Sequence, residues 1–295
     1  MPNTYFIGES EHNAPPLEPG LYLVSTPIGN LRDITLRALD VLSACDLIAC
    51  EDTRASRVLL KKYGIATPCT SYHDHNGAEV RPRLLRKLAD GASIALISDA
   101  GTPLIADPGF KLVVEAQGHD LPVVAIPGPS AVLTALAASG APTDRFAFFG
   151  FLPPKAAARS RAIKEIATFS GTACLFEAPT RLIATLSSLK DGLGDDLRAV
   201  VARELTKRFE EMHSGTLAEL VDHFAGHGAP KGEIVIVLHP RKARAATQAE
   251  IDAALQAALL TEKVKDASSG VASMFGLSRR EVYARALELA RARDG

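Results

Sequence analysis

Four short stretches concentrate the residue types that wrap small molecules: STPIGN (25–30), EDTR (51–54), SDAGTP (98–103) and IPGPSA (126–131). Their glycines and prolines let bare backbone approach a ligand, and a helix starting after Ser130 offers unpaired N–H groups in its first turn. The third stretch is the densest. Asp99 to Gly109 holds two Asp, two Pro and two Gly, more than the few residues a plain connection needs. One such loop is ordinary turn chemistry; four of them point to a binding site. The sequence carries no GxxxxGK followed by Ser or Thr. GLGDDL at Gly192 comes nearest to GxGxxG, but it lacks the third glycine and precedes a strand pattern, so a standard dinucleotide site is not expected. There is no HExxH. HDH at His73–His75 has no further Cys or His at ligand spacing, so it reads as a polar loop or a substrate contact, and no metal is expected.

Each stretch follows an apolar run that reads as a strand: Leu21–Ser25, Asp46–Cys50, Ser93–Ser98 and Leu121–Ile126. The runs are continuous rather than alternating, as in strands covered on both faces. Helical patterns separate them. Asp33 caps one with apolar Ile34, Leu39, Val41 and Leu42, and a second runs through RASRVLLKKYG. Asp107-Pro108 reads as N-cap and first-turn proline of a third. The alternation predicts an α/β layer with a mostly parallel sheet. In such a sheet the carboxyl ends of the strands share the edge where ligands bind, so the four loops should converge. A second series follows: RFAFFGF, a helical KAAARSRAIKEIATF, TACLFE, a helix after Pro179, RAVVARE, a helix near 216–225, and EIVIVLH. The expected organisation is a polar N-terminal tail at 1–19 and α/β domains at 20–140 and 141–240, with a hinge near Ala141–Asp144. A linker, HPRKARAATQ, and an all-helical end fill 241–295.

Composition narrows the function classes. The 295 residues are 47% hydrophobic and 23% charged, which suits a globular chain, and with 5% aromatics and no Trp the core must be aliphatic. A net charge of −1 gives no overall basic field. From Arg241 onward ten Lys/Arg stand against seven Asp/Glu, and before it 23 against 27, so any nucleic-acid site is a local patch. Cys45, Cys50, Cys69 and Cys174 form no CxxC pair and read as reduced thiols of a cytoplasmic protein. The N-terminus lacks the basic start and apolar core of a signal peptide. The apolar run 121–140 has about membrane length, but Pro127, Gly128, Pro129 and Ser130 cut it into a strand, a turn and a helix; no membrane partner is expected.

Six motifs occur in order: LYLVSTPIGN running through EDTRASRVLLKKYGI, then SYHDHN, LISDAGTPLIADPG, AIPGPSA, FEAPTR and ARELTK. Together they resemble the ribosomal RNA small subunit methyltransferase I family of the tetrapyrrole methylase superfamily, over about Gly20–Pro240. The helical end resembles that family's extra C-terminal domain. The resemblance implies two α/β domains with an S-adenosylmethionine (SAM) cleft between them, the class III methyltransferase fold, plus a small helical domain. It implies a homodimer, and methylation of the ribose 2′-hydroxyl of a cytidine in the decoding region of 16S rRNA. For the cofactor it implies Pro27, Ile28 and Gly29, then Asp99, Thr102 and Leu104, then Ser130 and Ala131. From the second domain, Phe176, the turn at Glu204 and Gly232 should close over the adenine.

Methyl transfer from a sulfonium is an in-line displacement, so alignment dominates. A ribose hydroxyl is a poor nucleophile, and a carboxylate base would help. The candidates are Glu51, Asp52, Asp99, Glu177 and Glu204, with Asp52, Asp99 and Glu204 carried forward as catalytic; Asp52 reads equally as a salt bridge to Arg54. On the RNA side, Arg54, Arg57 and Lys61 fall three and four apart on one helix face, with Lys62, Tyr72, His73, His75 and Asn76 beside it. Arg203 of ARELTK is assigned to the same role, whereas Lys155, Arg159 and Arg161 read as a solvated face. In the tail, Ala272, Gly276 and Val282 match the small, turn and apolar positions of a helix-turn-helix. With Arg279, Arg280 and Arg285 near its second helix, RNA docking is favoured over a plain bundle. An extruded nucleotide needs a structured target, so the assembled 30S subunit is the expected substrate. Two other readings keep part of the pattern. One gives the same fold a tetrapyrrole or modified protein side chain, which needs neither the basic helix nor the tail. The other is a non-catalytic nucleic-acid binder with a ligand-sensing α/β part.

Overall fold

The computed structural model describes residues 3–228, 230–241 and 247–294, and it departs from expectation at once. β1 (Thr4–Ile7) and β2 (Ser10–Asn13) pair antiparallel in a hairpin where a polar tail was expected. Tyr5 points inward and its hydroxyl donates to Asp40 Oδ1 at 2.9 Å. Two four-residue strands are too short to announce themselves by periodicity.

A parallel sheet follows. β3 (Gly20–Val24), α1 (Leu36–Ala44), β4 (Leu47–Cys50), α2 (Thr53–Lys62), β5 (Cys69–Ser71), α3 (Gly77–Ala89), β6 (Ser93–Ile97), α4 (Phe110–Gly118), β7 (Val123–Ile126) and α5 (Ala131–Ala138) alternate along the chain. The strand order is β5-β4-β6-β3-β7 and every pair is parallel. Burial on both faces explains the continuous apolar runs. Tyr22, Val24, Ile48, Ala95 and Ile97 pack with α1 and α2; Leu21, Ala49, Ile94 and Leu96 pack with α3 and α4. The apolar run 121–140 is divided between β7 and α5, and among the described residues no helix is long and apolar enough to cross a membrane.

The second sheet is mixed. β8 (Phe146–Phe151), α6 (Ala156–Thr168), β9 (Thr172–Glu177), α7 (Leu182–Leu193), β10 (Arg198–Arg203), β11 (Glu211–Thr216), α8 (Leu217–His227) and β12 (Ile234–Leu238) give the strand order β11-β10-β12-β9-β8. Of its pairs only β8–β9 is parallel. β11, EMHSGT, is an edge strand with no apolar alternation, which hid it from the sequence. α6, α7 and α8 cover one face of this sheet. The other face packs on α5, where Val132, Ala135 and Leu136 meet Cys174, Val200, Val235 and Val237. That packing makes residues 1–240 one compact unit. At the segment expected to hinge, Ala141 is buried and Thr172 Oγ1 donates to Pro142 O at 2.6 Å. We propose the 20–140 and 141–240 division on the ground that each holds its own sheet.

The second unit, 241–295, holds α9 (Gln248–Ala258), α10 (Val264–Phe275) and α11 (Arg279–Asp294). Half of the expected linker, 242–246, lies outside the described residues. Gly276 ends α10 in the left-handed region at φ 64°, a conformation glycine adopts without strain. Ala272 and Val282 are buried beside Ile251, Leu255, Val271 and Ala286. The small, turn and apolar positions therefore serve a helix-turn-helix. Arg285 clamps α9 to α11 by two hydrogen bonds to Asp252, at 2.8 and 2.6 Å.

Candidate functional site

The strand-end loops converge and are stitched to one another. Thr26 and Gly101 exchange backbone hydrogen bonds at 2.9 and 3.0 Å, joining STPIGN to SDAGTP. Ser25 Oγ donates to Thr102 Oγ1, which donates to Pro129 O at 3.1 Å, joining SDAGTP to IPGPSA. The Asp52 N–H donates to Asp99 Oδ1 at 3.1 Å, bringing in EDTR. The Asn30 N–H donates to Thr206 Oγ1 at 3.0 Å, reaching ARELTK from the second half. Such ties hold strained backbone in place: Leu104, Ala106, Glu204 and Thr206 all have positive φ.

Between the loops and the second sheet lies a cavity of about 410 Å³. Ile28, Asp99, Gly101, Thr102, Ser130 and Ala131 line it from the first half, and Phe151, Phe176, Glu177, Leu205, Gly232 and Ile234 from the second. Phe176 meets Phe148 and Phe151 edge-on at 4.7 and 5.6 Å, making an aromatic wall. Gly232 has φ 99°, and a Cβ there would collide with the Glu204 carboxylate. A second cavity of about 250 Å³ adjoins, lined by Pro27, Gly29, Leu31, Ala55, Val58 and Lys207 among others.

The expected cofactor residues mostly reach these walls. Ile28, Asp99, Thr102, Ser130, Ala131, Phe176 and Gly232 line the first cavity, and Pro27 and Gly29 the second. Leu104 does not: at φ 72° its side chain packs into the core below, and Ile105 and Ala106 take its place on the wall. Of the five catalytic candidates Asp99 and Glu177 line the first cavity, and of the three carried forward Asp99 does so while Asp52 and Glu204 do not. Asp52 caps α2, accepting from the Arg54 N–H at 2.8 Å, and its carboxylate pairs with the Arg54 guanidinium at 3.0 Å, which holds it below its usual range. Glu204 accepts from Lys207 Nζ at 2.8 Å and from the Glu233 N–H at 3.1 Å; the lysine hydrogen bond, above all, holds its carboxyl low. It supports the Gly232 turn from behind.

The expected RNA residues divide similarly. Arg57 and Lys61 are exposed on α2, and Arg279 and Arg280 are exposed at the start of α11 in the second unit. Arg54 is the partner of Asp52. His73 and Asn76 cap each other ahead of α3: the His73 N–H donates to Asn76 Oδ1 at 2.8 Å, and the Asn76 N–H donates to His73 Nδ1 at 3.3 Å. Arg203 pairs with Glu211 at 2.8 Å and donates to Lys231 O at 2.6 Å, bracing the sheet edge.

Two acidic residues gain weight from the structure. Glu177 is 2% exposed and accepts from Thr185 Oγ1 at 2.5 Å and the Ala178 N–H at 2.7 Å. Asp107 was expected to cap a helix, but Gly109, at φ 132°, is the N-cap of α4. Asp107 instead lines the first cavity, where burial pushes its carboxyl up to about 6. The Asp-Pro dipeptide gave a plausible cap and so masked that role.

Residues 20–221 match the family described as Tetrapyrrole (Corrin/Porphyrin) Methylases, and residues 245–290 match the RsmI C-terminal HTH domain. The chain is 50% identical over 283 residues to Ribosomal RNA small subunit methyltransferase I of Mesorhizobium japonicum, covering 96% of each chain. It is 45% identical over 273 residues to the Vibrio cholerae protein of the same name, covering 92% of this chain and 95% of that one. Among solved structures, diphthine synthase aligns with TM-score 0.60 at 17% identity, over 74% of this chain and 89% of that one. Uroporphyrin-III C-methyl transferase from Thermus thermophilus, complexed with S-adenyl homocysteine, aligns with TM-score 0.53 at 18% identity, over 75% and 97%. Those two likenesses speak for the fold. The chain-length identities decide the matter: this chain belongs to the tetrapyrrole methylase family and, within it, to the ribosomal RNA small subunit methyltransferase I family.

Proposed function

We propose that this protein transfers a methyl group from SAM to the ribose 2′-hydroxyl of a cytidine in the decoding region of 16S rRNA. It acts in the cytoplasm, as a homodimer, on the assembled 30S subunit. The observation that carries the rRNA reading is 50% identity across 96% of both chains to a relative of that printed name. The matched helix-turn-helix domain supports it. The cytidine, its 2′-oxygen and the decoding region rest on the motif resemblance.

The first cavity fits such a cofactor. Its volume of about 410 Å³ is within the ~300–1,000 Å³ of small-molecule sites. The wall of Phe151 and Phe176 offers a flat apolar face to a nucleobase, and Gly232 allows close backbone approach. The first turn of α5 presents N–H groups, and Asp99 offers a carboxylate for cationic or hydroxyl groups. Ile28, Asp99, Thr102, Ser130, Ala131, Phe176 and Gly232 would hold it. When bound, SAM supplies a methyl group on a positively charged sulfur. The protein's part is to bind, align and accept a proton. The Asp52 N–H fixes Asp99 Oδ1, which leaves Oδ2 to take the hydroxyl proton. Glu204 and Lys207 act as positioning residues for the 232–233 turn.

The test is methyl transfer from labelled SAM to 30S subunits lacking the modification, followed by nuclease mapping. The expected product is 2′-O-methylcytidine at one decoding-region position. SAM binding without label on 30S subunits or free 16S rRNA would overturn the assignment and return attention to tetrapyrroles.

A further inference from the structure

Ile28, Asp99, Ala100 and Glu233 line both cavities, so the two adjoin across the SDAGTP turn. A group transfer between two bound molecules needs this arrangement, because donor and acceptor atoms must meet at about 3 Å. With the cofactor in the larger space, the smaller one is open to the acceptor.

We infer that the second cavity receives the acceptor nucleoside, swung out of the RNA strand, with its ribose directed to Asp99. This rests on the rRNA reading above. Three observations carry it. The cavity, about 250 Å³, lies below the ~300 Å³ usual for drug-sized ligands, a size that suits one nucleoside. Apolar side chains make up much of its wall, among them Pro27, Ile28, Leu31, Val58 and Leu59, which suits stacking of a base. Val58 is the third. It is 63% exposed on a helix that also exposes Ala55 beside it and the cationic Arg54, Arg57, Lys61 and Lys62. Arg54 lies four residues before it, and Lys61 and Lys62 three and four after, so all share its face. Val58 thus sets an apolar side chain on the cavity wall with basic residues around it. That arrangement fits a base docking at Val58 while the flanking phosphates run along the basic residues.

The discriminating variant is Ala55→Phe. Ala55 is exposed on α2 and lines the second cavity only, so a ring there fills the space without touching the core. S-adenosylhomocysteine affinity, measured calorimetrically, should stay at the wild-type value. Methyl transfer to unmodified 30S subunits should fall about 100-fold, the scale of loss when an acceptor is displaced from its attack position. Val58→Ala should lower transfer by a smaller factor, again with unchanged cofactor binding. Wild-type transfer by Ala55→Phe would overturn the subsite alone. Loss of S-adenosylhomocysteine binding in that variant would also overturn it, by assigning the space to the cofactor. No transfer by the wild-type protein would overturn the rRNA reading and the subsite with it.

Discussion

Asp107 should make stability depend on pH in the direction opposite to most carboxylates. Its ordinary value of 3.8 applies to the unfolded chain; in the folded protein burial raises it to about 6, against a lowering hydrogen bond from Ser98. Between these values the native state keeps a proton that the unfolded state has released. Stability from this group is therefore fully present below the unfolded value and is lost as pH rises through the folded one. A shift of roughly two units corresponds to about 3 kcal/mol, and because the carboxyl is only half-buried, solvent screening brings this to about 1–2 kcal/mol. Asp107→Asn replaces the group with a neutral amide of the same shape. Urea unfolding of both proteins, followed by circular dichroism, should be compared at about pH 4.5 and about pH 7.5. The variant's stability relative to wild type should rise by about 1 kcal/mol at the higher pH, because at about pH 4.5, already above the unfolded value, part of the loss has occurred. An identical difference at both pH values would refute the argument, showing that the carboxyl is as well solvated as in the unfolded chain.

Three further outcomes are expected. Gly232→Ala should weaken S-adenosylhomocysteine binding at least ~10-fold and cost about 2 kcal/mol, since it strains a left-handed residue and displaces the Glu204 carboxylate; calorimetry and denaturation check both. Thr185→Val removes a donor from the fully buried Glu177 carboxylate, at a cost of about 1.5–3 kcal/mol readable as a lowered melting temperature. Arg285→Ala breaks the two-point contact with the partly exposed Asp252 and should lower the unfolding midpoint of the 241–295 unit slightly, read by thermal denaturation, while cofactor affinity is unchanged.

The parts legible in the sequence were those set by burial. β3 and β6 are covered on both faces, so their apolar runs are unbroken, and the loops after them had to share one edge. Gly276 could be read because a left-handed turn strongly favours glycine. What escaped was set by neighbours distant in sequence or by local competition. β11 is a strand because β10 offers its edge, not because EMHSGT prefers one. Asp52 and the His73–Asn76 pair have residue types suited to catalysis or RNA contact, and the structure adds what the sequence did not show, that each also accepts a hydrogen bond from a nearby backbone N–H. Leu104 was expected to meet the cofactor through its backbone, and its positive φ and the packing of its side chain on the core could not be read from the motif. Asp107 shows the reverse: an apparent cap that becomes a wall of the cavity.

The most direct measurement is a crystal structure of the protein with S-adenosylhomocysteine. The nucleoside should lie between Phe176 and Gly232, with Asp99 beside the sulfur end and the space against α2 left for the acceptor. A nucleoside seated against α2, or anywhere outside the cavity bounded by SDAGTP and IPGPSA, would contradict the assignment of donor and acceptor sides.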